Sequence, residues 1–118
     1  MSRTGMSVLV WGIYYILAGL GFLFIPNVVL PLFGFSTTTE VWVRVVGLLV
    51  GIIGAYYSYC ARNNVEPFMR ITVPGRFAFV VGAIGLVMLG LSSPSILIIA
   101  AGDAIGAIWT WLSLRTTT

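Results

Sequence analysis

Four apolar runs, at about 6–25, 41–61, 71–91 and 96–114, leave little choice of fold. Each is close to the roughly 20 residues a helix needs to cross the hydrocarbon of a bilayer. In lipid every backbone polar group must be satisfied within its own segment, so runs of this length are helices. The expected fold is all-α: a polytopic membrane protein forming one four-helix transmembrane bundle over 1–118. Composition agrees. Of 118 residues, 59% are apolar and 8% charged, against roughly 25% charged in a soluble domain, and the mean hydropathy is +1.08.

Breaks between the runs are marked by proline and polar residues. Pro26 ends the first. The stretch 27–35 is apolar but too short to span, and Pro31 interrupts it, so it reads as an interfacial or re-entrant piece. Ser36 to Thr39 and Glu40 mark water. Arg62 to Arg70 is the polar middle connection, where Pro67 forbids continuous helix. Pro74 then falls in the first turn of the third span. Ser92 to Ser95 forms a tight turn before the fourth. The first run is too long for a signal-peptide core and has no Ala-x-Ala cleavage site, so it reads as a retained span.

Orientation follows from arginine, the only basic residue type present. Arg3, Arg62, Arg70, Arg76 and Arg115 belong to one side and Arg44 to the other. The positive-inside rule places both termini in the cytoplasm of a multi-pass membrane protein. The net charge of +3 suits anionic headgroups. Without a Lys/Arg cluster to track phosphates, nucleic-acid binding is excluded.

Catalytic chemistry has little to work with. There is no histidine, and Cys60 is the single cysteine. That removes the commonest general base and metal ligand together and forbids an internal disulfide. No cofactor, metal or catalytic residue is expected, and the chain reads as a non-enzyme. Ser92, Ser93 and Ser95 lack a base that could activate them. Cys60, near the cytoplasmic surface, reads as a plain thiol or a palmitoylation site.

Asp103 is the exception that asks for an explanation. It is the only aspartate and stands inside the fourth run, where a carboxylate costs about 2.5–3.5 kcal/mol on insertion scales. It lies roughly 10 Å deep from the outer surface at 1.5 Å per residue, and Arg44 starts about 5 Å deep on the same side. An Arg44–Asp103 pair, with Glu40 near it, is therefore expected between the second and fourth helices. It serves either to fix their packing or to recognise a substrate or carry protons.

Glycine supplies the expected packing faces. Gly5, Gly12 and Gly19 repeat every seven residues, and Arg44, Gly47, Gly51 and Gly54 share one face of the second span. With Gly102 and Gly106 they read as close-packing helix faces, or as sites for a protein partner or homo-oligomer. The aromatics Trp11, Tyr14, Tyr15, Trp109 and Trp111 read as packing groups, and Tyr56, Tyr57 and Tyr59 as a belt at the membrane surface.

The segments Glu40-Val-Trp-Val-Arg-Val-Val-Gly47, Tyr56-Tyr57 with Ala61-Arg62, Glu66-Pro-Phe-Met-Arg-Ile-Thr-Val-Pro-Gly-Arg76 and Ala101-Gly-Asp-Ala-Ile-Gly-Ala-Ile-Trp-Thr110 resemble the BphX-like family. These are small bacterial four-span membrane proteins, broadly similar to DoxX-type four-helix proteins. The resemblance implies the same fold and a location in a bacterial inner (cytoplasmic) membrane. It supplies no catalytic residues, and through gene neighbourhood it hints at apolar aromatic compounds. Two roles stand after this reading, in order of preference. The first is a non-enzymatic accessory or interaction subunit, which needs an exposed small-residue face. The other is a carrier or binding protein for a small apolar or aromatic compound, with Arg44, Asp103 and Glu40 as polar contacts, which needs a pocket reaching Asp103. A third role, a membrane oxidoreductase subunit borrowing its partner's cofactor, is disfavoured by the scarcity of polar groups.

Overall fold

A computed structural model describes residues 2–92 and 94–117, with side chains through Arg115. Five helices follow in order: α1 (Arg3–Phe24), α2 (Pro26–Leu32), α3 (Trp42–Arg62), α4 (Glu66–Met88) and α5 (Ile96–Thr117). All but α2 are long and apolar enough to cross a membrane.

The ends of the helices are set by local chemistry. Ser2 caps α1, its hydroxyl accepting from the Gly5 amide at 2.9 Å. Pro26 cannot donate the next helical bond, so α1 ends and α2 restarts on that proline. The interfacial piece expected at 27–35 is this short helix and the turn after it. Its ring contact with α1 is a Phe22–Phe33 stack with centroids 5.9 Å apart.

The third span starts earlier than expected. Helix α4 begins at Glu66, with Pro67 in its first turn, a position where the missing N–H costs nothing. The proline therefore opens the helix and does not interrupt it. Pro74 falls inside the helix instead of at its start. Arg76 consequently stands ten residues in, about 15 Å along the axis.

The helices run antiparallel in chain order and bring both termini to the same end. Helix α1 is central. It packs most extensively on α3 and also on α5, while α4 packs mainly on α5. The α1–α3 seam is built from glycine. A Cβ on Gly19 would lie 2.5 Å from the Gly51 amide nitrogen, and one on Gly54 would lie 2.6 Å from the Gly12 carbonyl oxygen. Only glycine permits backbones to approach this closely. The expected stripe needs one correction: Gly51 offers its backbone to Gly19, but its own Cβ direction is open. In α5, Gly106 lies tight against the Trp11 ring while Gly102 faces open space.

The core sits in the half of the bundle nearer the termini, where Val8, Tyr57, Ala61 and Met69 are buried together. Helices α3 and α4 meet there through an edge-on Tyr57–Phe68 contact at 5.6 Å. Their packing is otherwise slight, and a cavity lies between them towards the α2 end.

Candidate functional site

Asp103 does not meet Arg44. The Arg44 guanidinium donates through Nη1 to the Leu23 carbonyl at 2.6 Å. That oxygen is among the last four carbonyls of α1, which have no helical donor, and a cation there also suits the helix dipole. Asp103 is 6% exposed and accepts from the Tyr15 hydroxyl at 2.5 Å through Oδ1. The two partners, Leu23 and Tyr15, are eight residues apart on α1, so about 12 Å along its axis. Depth estimated from each helix end ignored that α1 stands between α3 and α5. Glu40 is exposed in the loop before α3, where its amide donates to Thr38 Oγ1 at 3.1 Å. Among the described residues the only ion pair is Arg70–Glu66, at 2.6 Å on the surface.

The buried cation is Arg76, which the arginine count placed on the cytoplasmic side. It is 3% exposed. Its Nη2 donates to Thr72 Oγ1 at 3.0 Å and to Thr110 Oγ1 at 2.8 Å. Thr110 in turn shares a 2.8 Å hydroxyl contact with Ser7. One buried chain of polar groups thus ties α4, α5 and α1. The Arg76 guanidinium also lies 5.6 Å from the centroid of the Tyr57 ring, within cation–π range. Tyr57 therefore points inward, unlike its expected belt companions Tyr56 and Tyr59, which are exposed.

These groups form one end of a cavity of about 580 Å³. Tyr14, Tyr15, Tyr57, Arg76 and Asp103 make its polar end. Val43, Val46, Val50 and Ile53 of α3 form one wall, with Gly75 and Phe79 of α4 opposite. Leu30, Phe33 and Phe35, from α2 and the turn after it, close the far end. The roof is fastened where the Ser95 hydroxyl donates to the Gly34 carbonyl at 2.7 Å. Val46 and Phe79 in its walls are 52% and 40% exposed, and α3 packs only slightly on α4, so the cavity is open between these two helices. Of the other serines in that turn, Ser92 is described and Ser93 lies outside the described residues.

The arrangement can hold an apolar molecule by its body and a polar group by one end. The Tyr15 hydroxyl is engaged with Asp103, and Cys60 does not line the cavity. Of the residues singled out in the sequence, Asp103 lines the cavity, whereas Arg44 and Glu40 do not. Arg76, Tyr15 and Tyr57 join it unannounced. Comparison with known proteins found no match among family models, curated proteins or solved structures.

Proposed function

We propose that this chain is a multi-pass protein of a bacterial inner membrane, with both termini in the cytoplasm, that binds a small apolar compound drawn from the lipid. It acts as a carrier or binding protein and not as an enzyme. The observation that carries this reading is the cavity between α3 and α4, which reaches Asp103 and opens sideways. Ligand sites are concave and mostly apolar with a few converging polar groups, and an ionisable residue inside a membrane is a functional candidate by default. The BphX-like resemblance is in keeping, since both Arg76 and Asp103 fall inside the segments that carry it. In the purified protein reconstituted in lipid nanodiscs, a fluorescent naphthalene probe is expected to bind saturably above protein-free discs. Val46→Trp, which fills the cavity mouth, is expected to abolish that binding with an unchanged melting temperature. Equal binding by both proteins would overturn the proposal. Orientation is tested separately: a reporter active only in the periplasm is expected to work when fused after Ser93 and to be silent after Thr118.

The accessory-subunit reading draws on a different observation. Gly82 and Gly85 on α4 have nothing near their Cβ directions and do not line the cavity, which leaves a thin flank for another helix. Copurification of a membrane partner that is lost in Gly82→Leu would favour it.

A further inference from the structure

The polar end of the cavity carries groups that the fold leaves without partners. Tyr15 engages Asp103 Oδ1, and no described residue donates to Oδ2. The hydroxyls of Tyr14 and Tyr57 also lack hydrogen-bond partners among the described residues. None of these three atoms is among the sealed, unsatisfied polar atoms of the described residues, which are Thr4 Oγ1, Trp11 Nε1 and Arg76 Nη1. All three residues line the cavity, although Asp103 is 6% and Tyr57 9% exposed. The carboxyl oxygen and the two phenols therefore face the cavity space. The rings that carry the phenols stand side by side, Tyr14 to Tyr15 at 5.6 Å and Tyr15 to Tyr57 at 5.2 Å between centroids.

The charge around this end narrows the ligand. A cationic head would suit Asp103 and the aromatic rings, but Arg76 already lies against the Tyr57 ring. An anionic head would meet the Asp103 carboxylate. The Arg76 nitrogen that could offset it, Nη1, is sealed from the cavity. A neutral head avoids both conflicts. It must donate, because a carboxylate oxygen only accepts, and it gains if it also accepts from a tyrosine. A hydroxyl does both.

We infer that the Asp103, Tyr14 and Tyr57 end of the cavity recognises neutral apolar compounds bearing a hydroxyl, that is, apolar alcohols and phenols. This rests on the cavity being a ligand site at all. A site built to hydrogen-bond a hydroxyl discriminates strongly against the analogue that lacks the donor, because its own polar groups are then left unpaired.

The test is a matched series presented to the protein in nanodiscs, with protein-free discs subtracted for partition into lipid: 2-naphthol, 2-methoxynaphthalene, 2-naphthoate and 2-naphthylmethylammonium. The expected result is that 2-naphthol binds about tenfold or more tighter than its methyl ether and than either charged member. Asp103→Leu is expected to erase the preference for naphthol over the ether. Cys60→Ser, outside the cavity, is expected to retain it. The wild-type series decides the matter even if Asp103→Leu does not fold. Equal binding of naphthol and its ether would overturn the hydroxyl inference and leave the cavity reading standing. Tighter binding of the ammonium or the carboxylate would overturn it in favour of a charged ligand. Failure of every compound to bind would overturn both.

Discussion

The seam between α1 and α3 and the gap between α3 and α4 are bordered by the same residue type with opposite results. At the seam, Gly19, Gly47 and Gly54 each face backbone of the opposite helix, so close that a methyl group would collide. On α4, Gly75 at the cavity wall and Gly82 and Gly85 further along the helix have nothing within 4 Å of their Cβ directions. Lipid tails are as apolar as leucine, so helices in a membrane associate by fit and not by exclusion of water. Glycine makes a seam only where the opposing helix also presents small residues. Facing α4, helix α3 presents Val43, Val46, Val50 and Ile53, and the two surfaces do not nest. Fit on one side of α3 and misfit on the other thus produce both the scaffold and the cavity.

Gly54→Leu against Gly82→Leu is the sharpest way to break this comparison. Leucine at Gly54 must push against the Gly12 carbonyl and Ile16, and is expected to cost about 3 kcal/mol, the upper end of ordinary overpacking. Leucine at Gly82 meets open space and adds helix propensity worth up to about 1 kcal/mol. Melting in detergent, followed by size-exclusion chromatography after heating, should separate the two by many degrees. Equal losses would mean that α4 is packed through its glycines after all.

Where glycine does not join helices, hydroxyls do. Thr110→Val removes the acceptor for Arg76 Nη2 and the partner of Ser7. It changes the volume little but strands polar groups in the interior, which costs about 1–3 kcal/mol. Thr110→Ser keeps the hydroxyl and is expected to retain most of the stability. If valine and serine behave alike in the same melting assay, the Ser7–Thr110–Arg76 chain contributes no stability.

How far these features were readable in the sequence depends on what kind of force sets them. The four long helices follow from run length and backbone satisfaction alone, so their existence was legible to within a few residues. The glycine stripe of α3 was also legible, because 3.6-residue periodicity decides which residues share a face. The start of α4 was not, because Pro67 was read as a break. Taken as a first-turn proline, it puts Arg76 about 15 Å inside the helix, where it needs buried partners. The Thr72 hydroxyl one turn earlier is a second signal for a buried guanidinium. The partner of Asp103 depended on which helices are neighbours in space, and nothing in the spacing of residues along the chain reports that.

The smallest expected effect is the most telling about that neighbourhood. Two double-mutant cycles share Asp103→Ala, one with Tyr15→Phe and one with Arg44→Leu. Asp103 and Tyr15 are joined by a 2.5 Å hydrogen bond, and a bond to a charged group is worth about 1.5–3 kcal/mol. Their cycle should therefore show a coupling of at least about 1 kcal/mol. Arg44 is expected to lose stability alone, because its removal uncaps the Leu23 carbonyl. That loss should be the same with or without Asp103. Sites about 12 Å apart by their contacts on α1 and sharing no partner add to within about 0.5 kcal/mol. A clear coupling between Arg44 and Asp103 would mean that α3 reaches past α1 to α5, which would close the very gap that holds the cavity. A coupling near zero, beside a clear one for Tyr15, keeps α1 between them and leaves Asp103 facing the cavity.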